Sequence, residues 1–390
     1  MKRLLIPTLL VLFATTAQSV AAQSAIIPAP PQVAAEAYLL VDADTGAVLV
    51  EHNADTPRPP ASLVKMMTAY VLASEIESGR VKADDMVTVS RNAWSQNPVF
   101  AGSSLMWIEP GKEVTIRELE YGIIISSGND ATVAVAEHLA GSEAAFAEMM
   151  NSHAQALGMS NSHFANSHGL PADGQVVTAR DLATLGAAMI NDFPEHYALY
   201  KEREFTYNNI RQYNRNSLLG EDPSVDGIKT GYTSESGYGL VASAERNGMR
   251  LISVVLGTRS ATARKNESRG LLNYGFRFYE TVNLLESEQV LAEPRLWKGV
   301  QDSVAVGVLE TAKVTLPRGQ REQLQTDVEL TPTVVAPISR GDALGTVRLS
   351  LDGETVHEAP LVALATVEQA GFFARVWDSI KMWISKLFSV

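Results

Sequence analysis

The sequence contains no cysteine in 390 residues, so the fold uses no disulfide bonds. Stability must come from the hydrophobic core, and the length of the chain and its apolar share of 46% are sufficient for a core of two domains. The seven histidines show no spacing typical of zinc ligands, so we expect neither a metal nor another cofactor.

Positive charge is also scarce, because 32 basic residues stand against 44 acidic residues and the formal net charge is −12. An acidic surface repels phosphate groups. The composition therefore argues against nucleic-acid binding.

No apolar run at the start of the chain reaches the roughly 20 residues that a bilayer span requires. Lys2 and Arg3 precede an apolar run over residues 4–14, and small residues follow as far as Ala22. This pattern predicts a signal peptide over residues 1–22, cleaved after Ala22, rather than an anchor. Its removal takes away two positive charges and leaves a mature chain with a formal net charge of −14. An exported chain without cysteine is expected in a bacterial periplasm.

The remaining patterns divide the chain into three parts. Residues 37–52 and 237–257 predict β-hairpins, the second with its turn at Asn247-Gly248, while residues 61–191 are mostly helical. We expect an α/β (α+β) catalytic domain over residues 33–280, in which both hairpins form one antiparallel sheet and the helical segment is inserted between them. Short Val/Leu-rich segments over residues 284–366 predict a small all-β domain.

The third part, residues 371–390, predicts an amphipathic helix. One sector of the helix is apolar, and its members recur at steps of three or four: Phe373, Val376, Trp377, Ile380, Ile384, Leu387 and Phe388. The opposite side holds Arg375, Asp378, Ser379, Ser385 and Lys386, with Met382 as the apolar exception. We expect this helix to lie on the outer leaflet of the inner membrane; docking on the β domain is the alternative.

Three short stretches carry candidate chemistry. In "PPASLVKMMTAY", Ser62 and Lys65 are three residues apart, on one face of an apolar helix, where burial favours a neutral amine. Ser127-Gly128-Asn129 forms a turn between two helices, and Lys229-Thr230-Gly231 is expected to end a short strand. Each stretch alone is also compatible with a structural role: a snorkelling lysine, a helix cap or an ordinary strand end.

In combination, however, the motifs S-x-x-K, S-G-N and K-T-G occur in the order typical of penicillin-binding proteins. The sequence resembles the low-molecular-mass members of that class, the D-alanyl-D-alanine carboxypeptidases of the S11 type. The resemblance covers the signal peptide, a β-lactamase-like and transpeptidase-like domain, a small β domain and an amphipathic tail.

The resemblance implies a role for each motif residue. Ser62 is expected to be the acylated nucleophile and Lys65 its general base, with Ser127 and Asn129 completing the proton relay and holding the substrate amide. Backbone amides, including that of Ser62, are expected to form the oxyanion hole.

The resemblance to this family also implies which residues bind the substrate. Lys229, Thr230 and Gly231 are expected to bind substrate: Lys229 helps to fix the relay and the substrate charge, and Thr230 binds the terminal carboxylate. Arg264 is the expected carboxylate-binding arginine, although Arg259 and Lys265 are close in sequence. His168, in "NSHFANSHGLP", matches a histidine beside the family's active site, with no role assigned.

The sequence departs from known family patterns at two places. Tyr232 follows K-T-G where some relatives carry histidine, so deacylation rates cannot be transferred. No segment between S-G-N and K-T-G matches the E-x-x-L-N loop of class A β-lactamases, because Glu148 and Glu195 have different neighbours. Fast β-lactam hydrolysis is therefore not expected.

The resulting prediction is a serine-type D-Ala-D-Ala carboxypeptidase that trims peptidoglycan pentapeptide stems and binds penicillin covalently. The alternatives are a DD-endopeptidase, a weak β-lactamase, or a non-catalytic peptidoglycan-binding scaffold. The expected partners are stem peptides, β-lactams and the inner-membrane surface, with no nucleic acid.

Overall fold

The computed structural model describes residues 27–388, and the side chains of residues 27–384. The predicted signal peptide, residues 1–22, lies outside the described residues.

Strands account for most of the elements. In chain order they are β1 (Ala37–Asp42), β2 (Val48–His52), β3 (Met86–Thr88), β4 (Glu113–Thr115), β5 (Glu204–Tyr207), β6 (Ile210–Tyr213), β7 (Val225–Thr233), β8 (Gly237–Arg246), β9 (Met249–Thr258), β10 (Tyr279–Leu285), β11 (Val290–Ala292), β12 (Leu296–Trp297), β13 (Val306–Gly307), β14 (Ala312–Pro317), β15 (Gln325–Leu330), β16 (Val334–Val335), β17 (Ala343–Leu351) and β18 (Glu354–Ala363).

Eight α-helices accompany them within residues 27–388. They are α1 (Val64–Glu77), α2 (Ile116–Tyr121), α3 (Asn129–Ala140), α4 (Glu143–Ala156), α5 (Ala179–Asp192), α6 (Pro194–Tyr197), α7 (Ala261–Phe278) and α8 (Phe372–Phe388).

The centre of the first domain is a five-stranded antiparallel sheet in the order β2-β1-β9-β8-β7. Both predicted hairpins are present, and Asn247 and Gly248 adopt the positive φ angles of 53° and 77° that a tight two-residue turn requires. The N-terminal and late hairpins join through β1 and β9, so segments about 200 residues apart share one sheet. The predicted α/β fold class is confirmed.

Helices cover both faces of this sheet. Leu271, Leu272 and Phe276 of α7 pack on one face, against Leu40 and other side chains of the sheet. The helical insertion, with α1 and α5, covers the other face through the main core. Because both faces are buried, the central strands read as nearly continuous apolar runs instead of alternating ones.

The second domain is formed by strands. Its main sheet has the order β11-β13-β18-β17-β15, accompanied by the ribbon β10-β14 and the parallel pair β12-β16. Its separate core includes Val306, Val347, Leu361 and Ala363, which are all essentially inaccessible to solvent. The predicted small β-rich domain is therefore confirmed as a fold class.

A buried aspartate joins the two domains. Asp42, at the end of β1, is inaccessible to solvent. Its carboxylate accepts hydrogen bonds from the Thr315 hydroxyl (2.8 Å), the Thr281 hydroxyl and the Asp44 amide (2.9 Å). Because Thr281 and Thr315 lie on the ribbon β10-β14, this carboxylate fixes the second domain against the first.

The C-terminal helix α8 contacts the second domain through its polar side. The Asp378 carboxylate accepts the Lys298 backbone amide at 2.8 Å. The apolar side is exposed: Phe373 is 86% exposed, Trp377 59% and Trp383 66%. No helix in residues 27–388 combines the length and apolarity needed to cross a membrane.

Replacing Asp42 with alanine is expected to separate the unfolding of the two domains. The buried hydroxyls of Thr281 and Thr315 would lose a charged acceptor, and hydrogen bonds of that kind contribute about 1.5–3 kcal/mol each. Differential scanning calorimetry should show two transitions in place of one. The control is Asp44→Ala, which removes only a part-exposed pair with Lys313 (3.3 Å). A single transition in the Asp42 variant, at the temperature of the parent protein, would contradict this role.

Candidate active site

Ser62 is presented at the start of helix α1. It lies in a 3₁₀ turn over Ala61–Leu63 that leads directly into the helix. Both neighbours of Ser62 in this turn are buried, whereas Ser62 is partly exposed. Gly169 packs on the turn so closely that a Cβ atom there would lie 1.9 Å from the Ala61 carbonyl oxygen, so only glycine fits.

Lys65 lies one helical turn further on and is fully buried. Its Nζ atom is 2.6 Å from Asn129 Oδ1, 2.5 Å from the His168 carbonyl oxygen and 3.2 Å from Ser62 Oγ. The first two atoms can only accept hydrogen bonds. A neutral amine has two N–H groups and one lone pair, so donation to these two oxygens leaves the lone pair for the Ser62 hydroxyl.

The surroundings favour this neutral form. Burial, assisted by the positive charge of Arg215, lowers the pKa of Lys65 to about 7. The negative charge of Asp130 opposes the shift without cancelling it. At neutral pH a large fraction of Lys65 can therefore accept a proton, as a base for a serine nucleophile must.

A second serine, Ser127, lines the same cavity and is paired with a buried lysine, Lys229. Ser127 is the residue after a π-helical turn (Gly122–Ser126), and its φ of 57° is in the left-handed region. Lys229 Nζ donates to Ser127 Oγ at 2.9 Å. Burial, together with the nearby charge of Lys65, lowers the pKa of Lys229 well below its usual value. Strained backbone and π turns are both common at functional sites.

Asn129 and Asp130 connect helix α3 to the facing loop. Asn129 uses both ends of its amide, accepting from Lys65 and donating to Ser103 Oγ at 2.8 Å. The Asp130 carboxylate accepts four backbone amides, from residues 106, 107, 108 and 131, at 2.8–3.2 Å. The loop that carries Ser103 is therefore held against the start of α3.

His168 contributes its backbone more directly than its ring. Its carbonyl oxygen holds Lys65, while its Nδ1 accepts the Leu170 amide at 3.0 Å. The proton is consequently on Nε2, which lies 3.3 Å from Glu143 Oε1. Burial lowers the pKa of His168 to about 4, so the ring is neutral at pH 7. The imidazole positions the carbonyl that orients Lys65.

The K-T-G motif lies inside β7, which extends two residues beyond it to Thr233, so the expectation that it ends a short strand is wrong. Pairing with β8 continues to Gly237 and carries the strand past the motif. Thr230 and Gly231 line the cavity.

Only one of the three candidate basic residues after β9 reaches this cavity. Arg264 lines it and donates to the Gly231 carbonyl at 3.0 Å, while Lys265 pairs with Glu221 elsewhere and Arg259 is exposed. The Arg264 guanidinium also lies over the Tyr238 ring, at 5.5 Å from its centroid. Tyr232, which marks the departure from some relatives, stacks on that same ring at 4.1 Å.

The sequence motifs did not identify Arg215. This arginine lines the cavity and donates to the Ser126 carbonyl at 2.7 Å. It lies 14 residues before the K-T-G lysine in an irregular segment with no recognisable motif, so no local signal could have marked it. Glu143, the first residue of α4, was missed because it too belongs to no recognisable motif.

The cavity thus formed has a volume of about 270 Å³. It combines a partly exposed serine hydroxyl beside a neutral amine, a second serine–lysine pair, and two arginines. This arrangement can activate a serine for attack on a carbonyl and can bind a carboxylate near it.

Comparison with known proteins gives two family matches along the chain. Residues 23–260 match the family described as D-alanyl-D-alanine carboxypeptidase, and residues 279–369 match the C-terminal domain of penicillin-binding protein 5. The D-alanyl-D-alanine carboxypeptidase DacA of Escherichia coli (strain K12) is 47% identical over 360 residues, covering 92% of this chain and 89% of DacA.

Solved structures agree with these matches. Penicillin-binding protein 5 from Haemophilus influenzae superposes with a TM-score of 0.83 at 41% identity, covering 88% of this chain and all of that one. Penicillin-binding protein D2 from Listeria monocytogenes, in its cefotaxime-bound form, has a TM-score of 0.58 at 31% identity and covers 64% of this chain and all of that one.

The geometry around Lys65 predicts how the reactivity of Ser62 depends on pH. A base with a pKa of about 7 is neutral above that pH, and its neutral fraction falls about tenfold per unit below it. The acylation rate of Ser62 by an uncharged thioester should therefore fall with this slope below pH 7 and level off above it. The residual rate of Lys65→Ala should lack this transition. A rate in the parent protein that stays constant from pH 5 to 8 would exclude Lys65 as the base.

Proposed function

This chain belongs to the D-alanyl-D-alanine carboxypeptidase family of S11 serine peptidases, and on that premise we propose that it removes the terminal D-alanine from peptidoglycan pentapeptide stems through an acyl-enzyme on Ser62. The observation that carries the proposal is the contact set of Lys65 Nζ, in which two acceptor oxygens leave its lone pair for Ser62 Oγ.

In the acylation step, neutral Lys65 takes the proton of Ser62 as Oγ attacks the carbonyl of the penultimate D-alanine. The backbone N–H of Ser62, at the start of α1, donates to the oxyanion together with a second backbone amide. Collapse of the intermediate breaks the amide bond. The leaving amine takes a proton from the relay, in which Ser127 lies between Lys229 and the cavity.

In the second step, water attacks the ester and releases the shortened stem, which regenerates the Ser62 hydroxyl. Asn129 holds Lys65 in place throughout and can also contact the substrate amide. The sequence has no match to the E-x-x-L-N loop, whose glutamate activates the deacylating water in class A β-lactamases. We therefore propose slow release of bound β-lactams.

The terminal carboxylate is assigned to Thr230 and Arg264. Both line the cavity, and Arg264 is held by the Gly231 carbonyl, so its guanidinium is oriented before substrate binds. Burial lowers the pKa of Arg264 to about 10, which leaves it charged at neutral pH. Penicillin carries a comparable carboxylate, and its β-lactam carbonyl would acylate the same serine.

The site of action is proposed to be the periplasmic surface of the inner membrane. Export depends on the predicted signal peptide, and attachment on helix α8. The exposed aromatic side chains of α8 suit the interface, and Lys381 lies 5.7 Å from the centre of the Trp377 ring, on the side where anionic headgroups would be met.

The central experiment is release of D-alanine from a diacyl-D-Ala-D-Ala peptide, combined with mass spectrometry after labelling with benzylpenicillin. The parent protein should release D-alanine and carry one adduct on Ser62. Ser62→Ala should fold normally, release none and form no adduct, because the nucleophile is absent.

The control for this experiment is Ser160→Ala, which changes an exposed serine remote from the motifs and should preserve both activities. An adduct on another serine would refute the assignment. Cleavage of cross-linked dimers without D-alanine release would favour the endopeptidase alternative, and absence of any adduct would favour the scaffold.

A chain ending at Gln369 should remain soluble and active on small peptides but should no longer sediment with anionic vesicles. Gln369 itself is retained because its side chain donates to the Ala336 carbonyl at 3.1 Å. The control is Asp378→Ala in the full chain, which removes the hydrogen bond from the Lys298 amide to α8 but keeps the apolar side. This variant should still bind vesicles. Undiminished binding by the truncated chain, or its unfolding, would refute attachment through α8.

A further inference from the structure

A second cavity, larger than the catalytic one, lies beside the hairpin β5-β6. We call it the basic groove; it is lined by Arg203, Glu204, Arg211, Tyr213, Ser217 and Gly220 among others, and its volume is about 720 Å³. Sites for small ligands commonly measure about 300–1,000 Å³. The groove is therefore large enough for several residues of a peptide.

Both carboxylates that line the groove are already neutralised. Glu204 accepts from Arg211 Nε at 3.0 Å, and Glu221 accepts from Lys265 at 2.7 Å and from Arg269. Together with Arg203, four basic side chains face two acidic ones. On a chain with a net charge of −12 this is a local excess of positive charge.

The other polar side chains that line the groove differ in whether they already have hydrogen-bond partners. The amides of Asn214 and Asn216 are occupied, because they bond to backbone groups within the segment and to the Gly227 carbonyl. Of the polar side chains that line the groove, three have no hydrogen-bond partner among residues 27–388: the Arg203 guanidinium and the hydroxyls of Tyr213 and Ser217. All three can donate hydrogen bonds, so the groove is suited to an anion.

Two segments of the chain lie between the groove and the catalytic cavity and contribute side chains to both. Arg215 faces the catalytic cavity, while its neighbours Asn214 and Asn216 face the groove. Similarly, Arg264 faces the catalytic cavity, and Lys265 holds a carboxylate of the groove. One segment of chain and one helix turn therefore separate the two sites.

We propose that the basic groove binds the carboxylates of a second stem peptide of the peptidoglycan polymer while the first stem occupies the catalytic cavity. This inference rests on the proposed function, because that function places a polymer with many carboxylate-bearing stems at the catalytic cavity. A neighbouring stem on the same polymer would reach the groove at a high effective concentration.

The direct test is the binding of a fluorescent stem tripeptide with free carboxylates and no terminal D-Ala-D-Ala. Its dissociation constant is measured by fluorescence anisotropy in excess benzylpenicillin, which occupies the catalytic cavity through Ser62. Arg203→Gln removes a free charged donor. Charge-assisted hydrogen bonds contribute about 1.5–3 kcal/mol, so binding should weaken roughly tenfold or more.

A second variant fills the groove without removing a charge. Gly220 does not have a positive φ angle, and a Cβ atom there would meet only the flexible end of Arg203, at 2.9 Å from Nη2. Gly220→Leu should therefore fold and also weaken binding about tenfold. The matched control is Gly270→Leu, because a Cβ at Gly270 meets nothing within 4 Å, and it should bind like the parent.

Specific results would overturn the proposal. They are unchanged binding in both Arg203→Gln and Gly220→Leu, equal binding of a tripeptide with amidated carboxylates, or displacement of the tripeptide by inorganic phosphate at equal molar concentration. The last would indicate an unspecific anion site. If benzylpenicillin forms no adduct, the proposed function fails, and the same variants tested on the free protein still decide whether the groove binds the tripeptide.

Discussion

The geometry of the candidate active site depends on the buried amine of Lys65, on the largely apolar helix α1. Burial makes the charged form of Lys65 costly, and the oxygens of Asn129 and His168 satisfy only the two donors that the neutral form has. Three elements bring these groups together. Helix α1 carries the amine, the start of α3 carries Asn129, and the loop that contains His168 and Gly169 carries the second acceptor. A change in any of these elements would alter the basicity of the same nitrogen.

A cluster of positive groups surrounds that amine. Arg215 and Arg264 line the cavity. In addition to burial, the charge of Arg215 lowers the pKa values of Lys65, Lys229 and Arg264. The nearest buried carboxylate, Asp130, is committed to four backbone amides and holds a loop in place. The pKa values of Lys65 and Lys229 are consequently lowered beside a cavity that also presents two arginines. The basic groove, on the far side of the Arg215 segment, carries further arginines, Arg203 and Arg211.

Much of the fold followed from local patterns. The Asn247-Gly248 turn specifies its hairpin because both residues accept positive φ angles, and the apolar steps along residues 373–388 specify an amphipathic helix without reference to any neighbour. The sharing of one sheet by the two hairpins was expected, but the choice of β1 and β9 as the paired strands, and the joining of the two domains through Asp42, had no such signal. These contacts connect residues more than 200 positions apart, and many other pairings of the same strands would satisfy the same local preferences.

The sequence by itself determined the residue types of the active site, because serine, lysine and threonine in three ordered motifs belong to one kind of acyl-transfer chemistry. It did not determine which basic residue after β9 enters the cavity, that Arg215 joins it, or that a carbonyl of His168 holds Lys65. Tertiary structure decided these points, because the partners of Lys65 and Lys229 lie 64, 103 and 102 residues away along the chain. Hydrogen bonds of that span arise only after the sheet and helices have packed, and the pKa of each lysine is set by the burial that this packing produces.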